Sequence, residues 1–518
     1  MLCRTIKYRV DYSQHYVQSN QYQELVSLTT ELIKEPISKV DTAWLRMEQP
    51  TNLMMINGVV IMEDALDYEK LLETIKQRFL AFRRFRQKAV DGATGAHWVL
   101  DEDFDIRLHV RRTALPGAAD QDELESLVSE LASTPLDHSR PLWQFHVVEN
   151  YVEGPVIIMR IHHCIADGIA LVQVFLSLTD PTPKGRPSAR EPDKWKQRRA
   201  KESKVFQRLI DPAREGLDFA THLGQRMVEE GSKMLQNPTI ASNYATEASE
   251  IMRELVHSLT LENDPVTRFK GRLGTRKQVA WAKPLPLDEV KAVSKAFGCT
   301  VNDVLIAAVS GALRQYMISV GDSAEDMADI RATVPVNLRP LEHAQELGNH
   351  FGLVFLSLPL SVESPLERLY SVIDRMNDLK ASKQATVTLG FLAALGMGPS
   401  ALQKPVLDML SQKATAVLTN VPGPQQPLYL AGSKLKEMMF WVPQNGNVGL
   451  GISILSYNNK VFFGLISDYR LVSDPSAIIS RFRSEFEKLL YLGLMLPLEG
   501  KPSVQSAEKL LKNGLNPD

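Results

Sequence analysis

His162-His163-Cys164-Ile165-Ala166-Asp167-Gly168 places two imidazoles, a thiol and a carboxylate in one short stretch. Val156-Ile157-Ile158-Met159-Arg160-Ile161 before it is a nearly continuous apolar run, which suits a core strand. After it, residues 169–178 are apolar except at Gln173 and Ser177, which are four apart and share one helical face. The histidines therefore stand where a buried strand gives way to a helix. A neutral imidazole, with an unperturbed pKa of about 6.5, accepts a proton at physiological pH and returns it within one turnover. The chemistry implied is proton transfer. The same residues also have plainer uses: Asp167 followed by Gly168 makes a good helix N-cap, and the two histidines on opposite faces of a strand end would give one core and one exposed imidazole. Cys164, beside His163, reads as a buried small residue rather than a nucleophile. A metal site of His162, His163 and Asp167 is disfavoured, because adjacent histidines rarely converge on one ion.

The elements that must position these residues carry local signals. Trp143, Phe145 and Val147 alternate with Gln144, His146 and Val148, and residues 150–154 offer a turn back toward Val156, so an antiparallel hairpin delivers His162. Near the other end, residues 448–457 and 461–466 flank Asn458-Asn459, a pair suited to the φ > 0 geometry of a tight hairpin. Val301, Val304, Leu305, Ala308, Val309, Ala312, Leu313 and Tyr316 follow helical spacing, with Thr300 placed as N-cap and Asp303 as its third-position partner. An acid in a first helical turn needs no catalytic task, and Asn302 beside it can bond the local backbone.

A chain of 518 residues and 58.0 kDa is long for a single core, so two domains are expected. A formal charge of -2 provides no global field for nucleic acid or anionic lipid. Cys3, Cys164 and Cys299 lie far apart, without metal-ligand spacing, and imply a reducing compartment. No run reaches the ~18 consecutive apolar residues of a membrane span. Residues 384–403 are uncharged but broken by Gly390, Gly396, Gly398 and Pro399, which suits an apolar tunnel lining, a lipid-surface contact or a buried helix and turn. Residues 184–204 hold nine basic and three acidic residues among prolines and read as an exposed linker, with docking on anionic headgroups as the alternative. Helical spacing returns over 205–261. The division expected is an N-terminal extension (1–35, with a short helix over 23–34), a first lobe (36–180), a linker and helical crossover (181–275), a second lobe (276–500) and a tail (501–518).

Several motifs, in order along the chain, resemble one family. The H-H-x-x-x-D-G pattern of residues 162–168 resembles the active-site motif of the CoA-dependent acyltransferase superfamily, which includes chloramphenicol acetyltransferase and the condensation domains of peptide synthetases. Pro36-Ile37-Ser38, Asp41, Leu45 and Pro50-Thr51-Asn52 look like the opening of the wax ester synthase/diacylglycerol acyltransferase family. Pro141-Leu142-Trp143 and Asn302-Asp303 are similar to its P-L-W and N-D motifs. Pro335-Val336-Asn337-Leu338-Arg339 with Leu347-Gly348-Asn349, and Thr419-Asn420-Val421-Pro422-Gly423-Pro424, are similar to its middle and late blocks. Each alone is weak; as an ordered set from about residue 36 to residue 494 they are specific.

The resemblance implies an α+β, two-lobed, chloramphenicol acetyltransferase-like fold of mixed sheets and helices, with the active site in a channel between the lobes. It makes His163 the general base and His162 its support. Asp167 would hold the loop by pairing with Arg86 or Arg339, and Gly168 would let the backbone turn closely into the helix. Asn302, beside Asp303, becomes a substrate or oxyanion contact. The reaction implied moves a long-chain fatty acyl group from acyl-CoA to diacylglycerol or to a long-chain alcohol, without an acyl-enzyme. Acyl-CoA is then a substrate, and no cofactor or metal is expected. The setting implied is cytoplasmic, peripheral to a membrane or lipid body. A condensation-type or phenolic acyltransferase of the same superfamily, with another acceptor, is one alternative, although the D-F-G-W-G block of the plant-type enzymes is not found and no carrier-protein segment accompanies the sequence. A non-catalytic lipid-surface protein is the other.

Overall fold

The computed structural model describes residues 34–92, 95–185, 261–337, 347–349, 351–382, 384, 388, 411–444 and 446–495. Residues 1–33, the basic stretch beyond Gly185, the helical spacing of 205–260, most of 384–403, Arg339 and the tail lie outside the described residues. Lys34 and Glu35, which the sequence assigns to the extension, belong to the fold.

The first half runs β1 (Lys34–Pro36), α1 (Lys39–Met47), β2 (Met55–Met62), α2 (Tyr68–Thr74), β3 (Gln87–Gly92), β4 (Gly95–Leu100), β5 (Val110–Thr113), α3 (Gln121–Ser133), β6 (Trp143–Val148), β7 (Val156–His162), α4 (Gly168–Leu178) and β8 (Thr179–Asp180). The second runs β9 (Lys277–Trp281), β10 (Leu285–Pro286), α5 (Leu287–Phe297), α6 (Val301–Ser319), β11 (Ile330–Asn337), β12 (Phe351–Leu358), α7 (Pro365–Ala381), β13 (Ala416–Pro422), β14 (Tyr429–Leu430), β15 (Ser433–Trp441), β16 (Leu450–Tyr457), β17 (Lys460–Asp468) and α8 (Ser476–Leu494).

Each half is built on a seven-stranded sheet. The first has the order β5-β6-β7-β2-β15-β14-β8; the second has β10-β17-β16-β13-β11-β12, with β9 also on β17. In the second sheet β13 is parallel to β11 and β16 while β11 and β12, and β16 and β17, are antiparallel, so the sheet is mixed. The hairpin of β6 and β7 forms as its alternation predicts, and Asn458 and Asn459 turn β16 into β17 at φ of 47° and 59°.

The halves exchange chain. Strand β15, from the second half, pairs antiparallel with β2 in the middle of the first sheet. In return, helix α3 of the first half covers β9 with side chains one turn apart. Glu125 Oε1, Ser129 Oγ and Ser133 Oγ accept the backbone N–H groups of Trp281 (3.1 Å), Val279 (2.9 Å) and Lys277 (2.8 Å). A helical turn of about 5.4 Å is close enough to the two-residue strand repeat of about 6.7 Å for this pairing. The edge of the second sheet is thereby closed by the first lobe. Gln384 and Thr388 treat β12 alike, accepting from Phe355 N–H (3.1 Å) and Leu353 N–H (2.7 Å).

Two hydrophobic cores result, one between each sheet and its helices, and the first takes in Trp281, Phe351, Leu435 and Trp441 from the second half. Among the described residues no single helix is long and apolar enough to cross a membrane. The bent pair α5 and α6, meeting at 99°, passes by length and composition together, and its apolar residues lie in the second core.

Candidate active site

Strand β7 ends in the histidine pair, and its backbone is held on both sides. The His162 N–H donates to the Leu142 carbonyl (2.9 Å), in the P-L-W segment, and the His163 N–H donates to the Met54 carbonyl (2.7 Å) at the start of β2. The chain then turns into α4, where Asp167 is the N-cap and accepts from the Ala170 N–H at 2.8 Å. Both imidazoles are buried, His162 at 0% and His163 at 4% exposure, so the sequence expectation of one exposed ring is corrected. The cover comes from segments far away in the chain.

His162 accepts a hydrogen bond from the Cys164 N–H through Nδ1 (3.1 Å), which puts the proton of the neutral ring on Nε2. That atom lies 3.1 Å from Glu48 Oε2, at an approach too oblique for a full hydrogen bond. Glu48 also accepts from His138 Nε2 (2.9 Å) and from the Met54 N–H (3.0 Å). Burial alone would raise the Glu48 carboxyl, but the contacts with His138, His162 and Met54 outweigh it and hold the group well below the usual carboxylate range. The hydrogen bond to Glu48 lifts His138 in turn.

His163 lies under Trp44, with ring centroids 4.2 Å apart and planes 18° from parallel, and against Phe351 at 5.6 Å. Its Nδ1 is enclosed without a hydrogen-bond partner. Burial pushes this imidazole down to about 4, and the negative charge of Asp167 opposes that shift. The ring is therefore neutral at physiological pH. Trp44 comes from α1, whose N-cap Ser38 accepts from the Asp41 N–H, whereas Phe351 comes from the second half. The ring stands in the seam between the lobes.

The Leu347-Gly348-Asn349 block closes the same seam. Gly348 donates to the Ile165 carbonyl (3.2 Å) and its carbonyl accepts from the Asp167 N–H (3.2 Å), bridging onto the motif loop at a φ of 107°, a conformation that favours glycine. Asn349 Nδ2 donates to the His163 carbonyl (2.7 Å) and to Asp41 Oδ1 (2.7 Å). Burial raises Asp41 to about 6, against the hydrogen bonds that it accepts from Ser38 and Asn349.

Other predicted residues are placed differently. Asp303 makes the capping box of α6 with Thr300, and Asn302 Oδ1 accepts from Asn420 Nδ2 (2.5 Å); the contacts of this pair are within the second lobe rather than with the histidines. Arg86 is exposed and forms no ion pair with a described residue. For Gly168, no described atom lies within 4 Å of an added Cβ and φ is not left-handed, so relief of a backbone clash is not its role. Cys164 is fully buried, and burial pushes its thiol well up, away from the thiolate a nucleophile needs. Trp44, Glu48 and Phe351 escaped the sequence reading. Only Trp44 had a local signal, on the buried face of a capped amphipathic helix.

Two sheet-based lobes around a buried histidine pair, with β15 of the second half entering the first sheet and α3 of the first half covering the second, define the chloramphenicol acetyltransferase-like class of fold. The first condensation domain of the calcium-dependent antibiotic synthetase is similar over 89% of this chain and 97% of its own, with 14% identity and a TM-score of 0.56. The wax ester synthase/diacylglycerol acyltransferase catalytic domain matches residues 37–305 and the C-terminal domain of that family matches residues 347–490, so the chain belongs to the wax ester synthase/diacylglycerol acyltransferase family. The wax ester synthase/diacylglycerol acyltransferase of Marinobacter aquaeolei VT8 shares the fold at a TM-score of 0.61 and 21% identity, covering 89% of this chain and 100% of its own. A probable diacylglycerol O-acyltransferase of Mycobacterium tuberculosis (strain H37Rv) is 27% identical over 456 residues, 85% of this chain and 93% of that protein. The protein is an O-acyltransferase.

Proposed function

We propose that the protein moves a long-chain acyl group from acyl-CoA to the free hydroxyl of diacylglycerol, and to a long-chain alcohol where one is offered, with His163 as general base. The observation that carries this reading is the neutral, buried His163 ring at the seam between lobes. His163 Nε2 takes the hydroxyl proton as the oxygen attacks the thioester carbonyl. The tetrahedral intermediate then collapses, the C–S bond breaks, and the proton passes to the departing CoA sulfur, whose thiol resembles cysteine at a pKa of about 8.5. No acyl-enzyme is needed. Water at ~55 M competes with the alcohol, which favours a seam shielded by Trp44 and Phe351. Acyl-CoA is consumed, and the chemistry calls for no cofactor or metal. The names of the mycobacterial relatives favour diacylglycerol as acceptor. Lipid acceptors favour a position at a lipid surface, and the scarcity of cysteines favours the cytoplasmic side.

The test offers labelled palmitoyl-CoA with diacylglycerol and hexadecanol in parallel, with and without anionic vesicles. Labelled ester and free CoA are expected, and His163→Ala should lower turnover by about 10²–10⁴. Ester formation at the wild-type rate by His163→Ala, or ping-pong kinetics with a trapped acyl-enzyme, overturns the mechanism.

A further inference from the structure

The side-chain amide of Asn349 can take only one orientation. The atom assigned Nδ2 sits 2.7 Å from Asp41 Oδ1 and 2.7 Å from the His163 carbonyl oxygen, both acceptors, so that corner must be the NH₂. The Asn349 backbone N–H donates to the same Asp41 oxygen at 3.0 Å, which fixes the residue at both ends. Its Oδ1 is thereby turned away from Asp41, and it is enclosed without a hydrogen bond. On His163 the enclosed, unbonded atom is Nδ1, while Nε2 is not so enclosed. Asp167 and the ring's own backbone carbonyl favour the protonated form of the His163 ring most, and the Asn349 side chain adds to them, as an acceptor facing a ring N–H would. A bare carbonyl oxygen and a ring nitrogen bearing hydrogen are complementary; two enclosed, unbonded lone pairs are not.

We propose that Asn349, anchored by Asp41, is a positioning residue that holds His163 in the Nδ1–H tautomer and so leaves Nε2 as the proton acceptor. This deepens the acyl-transfer reading and rests on His163 being its base. Asp41 and His163 belong to the first half of the chain and Asn349 to the second, beside the Gly348 bridge, so the base is set only where the halves are docked. Tautomer and lobe closure are one event.

Histidine-selective ¹⁵N labelling tests this, with the His163 signals assigned by their loss in His163→Ala. In the wild type Nδ1 should show the shift of a protonated ring nitrogen and Nε2 that of a bare one. Asn349→Ala should mix or reverse the two, lower kcat about ten- to a hundredfold and leave KM for palmitoyl-CoA within about twofold. Its acid limb in the pH profile should move to lower pH. Asp41→Ala should behave alike, whereas Asp41→Asn, which keeps an acceptor oxygen, should recover kcat to within about threefold of wild type. Should Asn349→Ala fail to fold, Asn349→Ser gives the same readings. An unchanged ring spectrum together with unchanged kcat in the Asn349 variant overturns the proposal. Retained turnover in His163→Ala would instead overturn the base assignment, and the ring spectrum would still decide the tautomer.

Discussion

Trp44 covers one face of His163 at 4.2 Å between centroids, and it is the residue that connects the opening helix α1 to the chemistry. A ring under an indole exchanges little water, so its charged form is poorly solvated, which accounts for much of the depression of the imidazole. Trp44→Ala should therefore let the acid limb of kcat/KM rise toward about 6.5 and should lower kcat by about tenfold or more, because the ring loses its fixed plane. The unfolding free energy should fall by about 3–5 kcal/mol, as for other buried aromatics cut to alanine. Trp44→Phe should keep most of both. The measurements are pH profiles with hexadecanol as acceptor, and chemical denaturation.

Asp167 acts on the same ring with the opposite sign. Its carboxylate supports the imidazolium, so Asp167→Asn should push His163 below its value of about 4 and move the acid limb to lower pH. Turnover should fall as well, since the imidazolium that forms as the hydroxyl proton is transferred loses its stabilising charge. Asparagine caps helices about as well as aspartate, so the cap to Ala170 should survive. The wild-type ring carries a linked cost. Because its folded value lies below the unfolded value of about 6.5, the unfolded chain takes up the proton first as pH falls. The folded state then loses stability between pH 6.5 and pH 4, on the order of 3 kcal/mol for this group. An acid limb that shifts upward in Asp167→Asn would sink the assignment.

Glu48 gathers His162, His138 and the Met54 N–H around one carboxylate, and it stabilises the strand end from which His163 projects. Its folded value is depressed, so its contribution is present above the unfolded value of about 4.5 and is lost as pH falls through the folded value. Glu48→Ala leaves His138 and the Met54 N–H without their acceptor and His162 Nε2 without its neighbouring charge, and should cost about 1–3 kcal/mol at pH 7. The gap between variant and wild type should narrow below about pH 4.5 in thermal melts across pH. A gap that stays constant with pH would mean that Glu48 contributes packing alone.

What the sequence made legible was local. The alternation of Trp143 to Val148, the Asp167 cap, the Asn458-Asn459 turn and the Thr300 and Asp303 box each depend on residues within a few positions, and each forms as read. The two-lobed fold was legible through ordered motifs. The cover of the site was not, because Trp44 meets His163, Glu48 meets His162, and Asn349 meets Asp41 only after β7, β2 and the second half have packed. Nor does a strand such as β15, with its alternating burial, announce that its partner is β2 nearly four hundred residues earlier, a separation visible in the Asn52 to Gly446 bond that spans 394 positions. The N-D motif shows the reverse case, a family signal whose local physics is helix capping.

That motif yields a clean separation of roles. Asp303 Oδ2 accepts from the Thr300 N–H and Thr300 Oγ1 from the Asp303 N–H, so Asp303→Ala should cost about 1 kcal/mol of stability and little turnover. Asn302 is tied to Asn420 across the second lobe, so Asn302→Ala and Asn420→Ala should have effects of equal size, below about tenfold in kcat, and the double variant should be no worse than either single one. A fall of about 10²–10³ in Asn302→Ala alone would instead mark the amide as an oxyanion donor. The two outcomes differ in Asn420→Ala as well. A pair that only ties β13 to α6 loses the same contact from either side, whereas a donor to substrate keeps its NH₂ when Asn420 is removed and loses only the partner that aims it.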